Sequence, residues 1–99
     1  MKPEVIIDAN EFRDLAGFAM HFSDVALRGQ YRWNGNLDAF NDILRGGFGT
    51  PEHGFTLIWR NHEKSRRNMT QTFEALVEII RVHGPGGDEA EDQVDLRLE

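Results

Sequence analysis

Residues 33–47 read WNGNLDAFNDILRGG, and the short helix inside this stretch organises the reading of the whole chain. Asn36 is a good N-cap, Asp38 sits in the first turn where the helix dipole favours an anion, and Gly46-Gly47 stops the run. A helix from about Leu37 to Arg45 is predicted. Turned at about 100° per residue, Leu37, Ala39, Phe40, Ile43 and Leu44 form one continuous apolar arc that must face a core. Asp38, Asn41, Asp42 and Arg45 share the opposite arc. Asp38 and Asp42 are i,i+4 neighbours, so two carboxylates stand side by side, a mildly destabilising pairing that Arg45 partly offsets.

Working outward, EVIIDA (4–9) reads as a first strand, its run Val5-Ile6-Ile7 suited to burial on both faces. Asn10 is placed to cap a helix from Glu11, with Phe12, Leu15, Phe18, Ala19 and Phe22 at helical spacing. Residues 23–31 read as irregular. After the central helix, GGFGTPEHG (46–54) is a loop, and FTLIWR (55–60) a second strand. The basic HEKSRRN (62–68) leads to a longer helix. Asn68 and Gln71 have capping-box spacing there, Phe73, Leu76, Val77 and Ile80 form the apolar face, and His83-Gly84-Pro85 is the stop. GGDEAED (86–92) reads as an acidic loop. QVDLRLE (93–99) alternates as a strand with one wet face, Val94, Leu96 and Leu98 pointing inward. Crossovers of this length favour parallel pairing. The expectation is a single α/β domain over residues 1–99: a three-stranded, mostly parallel sheet packed with three to four helices, the first strand central.

Bulk properties narrow the function. The length suits one domain, which buries roughly 65% of its unfolded surface and needs no covalent staple. With no cysteine there is neither a disulfide framework nor thiolate chemistry. The N-terminal apolar run is too short for a signal peptide or a membrane span, which makes a cytoplasmic location the expectation. The formal charge of −6 argues against nucleic acid as a partner and would steer a basic protein toward the chain. It also serves plain solubility.

Paired carboxylates can perform acid–base hydrolysis, but that needs a cleft and one carboxyl raised by burial, whereas Asp38 and Asp42 line one exposed stripe. No catalytic residue is assigned. His21, His53, His62 and His83 show no ligand spacing, so no metal and no cofactor is expected. His83 reads as a complement to a helix dipole. Asp88, Glu89, Glu91 and Asp92 lack the ordered spacing of a calcium loop and read as solvated. Lys64, Arg66 and Arg67 read as a solvated patch, and the glycines of residues 46–54 form no phosphate-binding fingerprint. Trp59 reads as core, its indole N–H needing a partner. Tyr31 is a contact candidate, and Trp33 divides evenly between packing and contact.

WNGNLDAFNDILRGG resembles the signature of the barstar family of ribonuclease inhibitors, where an aromatic, Gly-containing turn precedes Asn-Leu-Asp-Ala and a second aspartate. LIWRN (57–61) is similar to that family's second strand, and the order of elements matches over roughly residues 4–99. The resemblance implies a protein that plugs the active site of a small basic microbial ribonuclease in a 1:1 complex, monomeric when free. Asp42 would replace the substrate phosphate, supported by Asp38. Asn36 and Gly46 would bracket the helix, with Trp33, Asn34 and Gly35 in the loop before it. Asn41 and Arg45 complete the candidate partner-binding set.

Some positions depart from the family pattern. Asn41 stands where the best-known member has an aromatic, Arg45 replaces a small hydroxyl residue, and Phe48 falls one residue after the usual aromatic position. Glu78 is the nearest match to a glutamate used from a later helix. Arg45 would oppose a basic active site unless it folds back onto Asp42. These differences leave open a second expectation, a barstar-like interaction module or immunity protein for a non-ribonuclease partner.

Overall fold

Strand β1 (Glu4–Asp8) opens the chain, and alternate residues of it are buried. The computed structural model describes residues 2–99. A one-turn 3-10 helix (Ala9–Glu11) follows, its first turn closed by the Asp8 carboxylate accepting from the Asn10 backbone N–H at 2.9 Å. Helix α1 (Leu15–Val25) then starts four residues later than Asn10 alone suggests. Asp14 is its cap, accepting from Gly17 N–H at 2.8 Å, while Phe12 remains extended and buried ahead of it. The helix also takes in Ser23, inside the stretch expected to be irregular.

Helix α2 (Leu37–Arg45) has the predicted bounds, capped by the Asn36 side chain on Ala39 N–H. Strand β2 (Phe55–Arg60) follows. HEKSRRN is itself a helix, α3 (His62–Asn68), rather than a lead-in. The chain breaks at Met69, whose φ of −148° and ψ of 58° leave the helical region as its side chain turns into the core. Helix α4 (Thr70–Val82) therefore begins without a side-chain cap, and the expected Asn68–Gln71 box does not form. Strand β3 (Val94–Leu98) closes the fold after a second 3-10 turn (Ala90–Asp92).

The sheet is three-stranded and wholly parallel in the order β1-β2-β3, so β2 is central, not β1. The reason is visible in burial: Leu57, Ile58 and Trp59 are all buried, as a strand paired on both edges requires, whereas Ile6 of β1 is exposed. Val5 and Ile7 face the core with Phe55, Leu57, Trp59 and Val94. The opposite face aligns Glu4, Thr56 and Asp95 in one row and Ile6, Ile58 and Arg97 in the next. It is charged, with Lys2–Asp95 and Arg97–Glu4 ion pairs, and so tolerates water.

The core is strongly aromatic. Phe18 stacks on Trp59 and meets Phe12, Trp33 and Phe40 edge-on, while the Trp59 indole N–H donates to Ser65 Oγ at 3.1 Å. Among the described residues, no helix is long and apolar enough to cross a membrane.

Candidate functional site

The candidate surface is built on α2 and on the turns at its two ends. Ahead of the helix, Trp33 is drawn inward: it is 2% exposed, stacks on Phe40 with ring centroids 4.7 Å apart, and donates from its indole to Asn36 O at 2.9 Å. Its backbone N–H donates to Ser23 Oγ, which in turn donates to Ala19 O. Between packing and partner contact, packing claims Trp33. The Asn34 side chain accepts from Asn36 N–H at 3.0 Å, an Asx turn, and the buried Gly35 at φ 95° lets the chain reverse over the Leu15 side chain. Gly46, at φ 112°, ends the helix, and its N–H donates to Ile43 O. Both ends of α2 are thus tied down by local hydrogen bonds.

The loops flanking α2 are zipped together. Arg28 Nε donates to Gly49 O at 2.9 Å, and Tyr31 meets the ring of Phe48 edge-on at 4.9 Å. Tyr31 is exposed, so this pair forms an aromatic edge to the surface.

On the outer arc of the helix Asp38, Asp42 and Arg45 are exposed. The Asp42 side chain keeps 63% of its surface open to solvent. Arg45 does fold back onto Asp42, through Nη1, but it does more. Its Nε and Nη2 donate to the two carboxylate oxygens of Glu89 at 2.7 and 2.9 Å, a two-pronged ion pair. That bond raises the guanidinium's pKa and holds the Glu89 carboxyl below its usual range, in each case mainly through the hydrogen bond to the partner.

Asn41 takes a different course from its neighbours. It is half-buried, and its amide meets Nε2 of the fully buried His83 at 2.7 Å. The other ring nitrogen, Nδ1, donates to Asp92 Oδ2 at 2.7 Å. His83 therefore does not simply complement the dipole of α4; it fastens α2 to the segment before β3.

The run Asp88–Asp92 is thus only partly the solvated loop that composition suggests. Asp88 and Glu91 are exposed, while Glu89 and Asp92 are engaged by Arg45 and His83. His83, Glu89 and Asp92 bring ligand-type atoms within 4.8 Å of one another, a grouping that sequence spacing does not reveal. Each carboxylate in it already has a protein partner.

A polar cleft of about 350 Å³ opens past the C-terminal end of α2, bounded by Arg45, Glu52, His53, Glu91 and Asp92 among others. Neither Asp38 nor Asp42 lines it. The two aspartates do not face each other across a gap, as acid–base hydrolysis would require. Glu78 is exposed on α4.

Sequence reasoning placed the acidic stripe and its caps but missed Glu89. No local signal pointed to it, because Arg45 already has Asp42 as a counter-charge one turn away and Glu89 lies 44 residues further on. No curated protein matches the sequence. The sequence model of the barstar (barnase inhibitor) family matches residues 3–98, and the chain belongs to that family.

Proposed function

We propose that this protein binds a small basic microbial ribonuclease one-to-one and silences it, in the cytoplasm of the cell that makes it, by presenting the Asp38–Asp42 face of α2 to the enzyme's phosphate-binding cations. Family members are inhibitors rather than enzymes, and the reading needs no catalytic group of the chain's own. One observation carries it: two exposed carboxylates a helical turn apart stand on a helix capped at both ends, with its other side buried in the core. Such a face meets its partner already ordered, so little conformational entropy is lost on association. A net charge of −6 adds long-range attraction for a basic partner. Asp42 serves as the principal stand-in for phosphate and Asp38 as its support.

A second reading, a barstar-like module for a different protein partner, draws support from Asn41 being committed to His83 and from Arg45 lying beside Asp42. Titration into a panel of small ribonucleases that includes barnase, following RNA cleavage, decides between them, with Asp42→Ala as the comparison. Stoichiometric inhibition that the substitution weakens supports the phosphate-mimic reading. Silence across the panel overturns it in favour of the second. Salt gives a further check, since a carboxylate-into-cation interface loses association rate steeply with ionic strength.

A further inference from the structure

Arg45 is the sole cation in the sequence of α2, and it stands one turn from Asp42 on the face proposed to meet a basic enzyme. Left with Asp42 alone, its charge would cancel that carboxylate, and only Asp38 would remain uncompensated. The structure provides a third group. Glu89, on the segment between α4 and β3, grips the guanidinium by Nε and Nη2 through both carboxylate oxygens, leaving Nη1 for Asp42. The Glu89 side chain is the more enclosed of the pair, 27% exposed against 45% for Arg45, so the guanidinium is anchored from the body of the protein. Asp42, Arg45 and Glu89 together carry one net negative charge, and Asp38 brings the face to two.

We propose that Glu89 is a positioning residue for the partner-binding face: its two-pronged ion pair neutralises and immobilises Arg45, so that Asp42 is oriented rather than cancelled and a cationic partner meets an acidic surface. The proposal rests on the reading of α2 as the partner-binding helix. It makes the 86–92 segment, which lies outside the family signature stretch in sequence, a determinant of affinity for basic partners. A planar guanidinium held by both prongs is also fixed in direction, which a single contact to the exposed Asp42 would not achieve.

The test uses the full-length chain as wild type, Glu89→Gln, Arg45→Ala, the Arg45→Ala/Glu89→Gln double variant and Asp42→Ala. Association kinetics are followed against barnase, or against whichever panel ribonuclease the wild type inhibits, over a range of ionic strength. Glu89→Gln is expected to slow association about tenfold at low salt, with the difference shrinking as salt is added. In the Arg45→Ala background the same change is expected to have a much smaller effect, because only Glu89's own charge is lost there and no cation is left to restrain. A merely structural role for Glu89 would persist in that background. If Asp42→Ala weakens binding while Glu89→Gln does not, or if the Glu89 effect survives removal of Arg45 undiminished, this proposal fails and the reading of α2 stands. If Asp42→Ala is without effect, or no panel enzyme is inhibited, the underlying reading fails and takes the proposal with it. The free protein offers an independent check: a protected Arg45 Nε–H resonance in the NMR spectrum, lost in Glu89→Gln, is expected, and its absence from the wild type would sink the proposal without any partner.

Discussion

Asn41 and His83, 42 residues apart, meet at 2.7 Å between the side-chain amide of the candidate binding helix and the buried imidazole that follows α4. Asp92 closes the other side of the ring. The contact turns one member of an otherwise exposed arc inward, and it holds α2 against the C-terminal third of the chain. A position that sequence assigns to a partner is used by the fold itself.

Removing that contact leaves a ring nitrogen of a fully buried side chain without a partner. Asn41→Ala is therefore expected to destabilise the protein by about 1–3 kcal/mol, the usual cost of orphaning a buried polar group. Urea unfolding of the two proteins measures it. A midpoint unmoved by the change would show that water replaces the amide without penalty.

Trp33 is expected to matter for stability rather than for contact. Its ring packs against Phe18, Phe22 and Phe40. Trp33→Ala should cost about 3–5 kcal/mol, as large-to-small changes in aromatic cores do. Trp33→Phe should cost less while forfeiting the indole bond to Asn36 O. Denaturant curves give both numbers, and a loss under 1 kcal/mol for the alanine variant would contradict the packing role.

The glycines after α2 separate strain from space. At Gly49, φ is 132° and an added Cβ would lie 2.2 Å from Leu27 O, backbone that cannot give way cheaply. At Gly46, φ is 112° but nothing lies within 4 Å. Both Ala variants should be destabilised, with Gly49→Ala well beyond the roughly 1 kcal/mol scale of backbone conformational effects and Gly46→Ala nearer to it. Equal melting temperatures for the two would refute this.

Acid stability has two identifiable contributors. The Asn10 backbone N–H, then the Asn61 amide, hold the Asp8 carboxyl below its usual range, and the Arg45 hydrogen bond does the same for Glu89. A depressed carboxyl pKa contributes stability that is present above the unfolded-state value, roughly pH 4, and is lost as pH falls through the folded-state value. Asp8→Asn and Glu89→Gln should each flatten the acid limb of the stability curve below that point. They should leave the shape of the curve between pH 6 and pH 8 unchanged, which thermal melts across a pH series will show.

Loss of Asp42 bears on function directly. With a panel enzyme that the wild type inhibits, Asp42→Ala should weaken binding by about 2–5 kcal/mol, because cations are left buried without a partner; that range itself draws on the barnase–barstar complex. Isothermal titration calorimetry reads it, and a change of a few tenths would remove Asp42 from the phosphate-mimic role.

Local periodicity by itself determined most of this protein. The bounds of α2, its N-cap, its stop and its apolar and acidic arcs are properties of residues three and four apart, and a helix makes such neighbours meet wherever it lies. The strands were legible for the same reason, as was the family signature from Trp33 to Gly47. The tertiary structure alone decided which strand is central, that Ile6 faces water, that Asn41 turns to His83, and that Glu89 restrains Arg45 from 44 residues away. These depend on how parallel crossovers return distant segments to one place. The cost of closing a loop rises only slowly with its length, so nothing in the spacing of Arg45 and Glu89 announces that they touch.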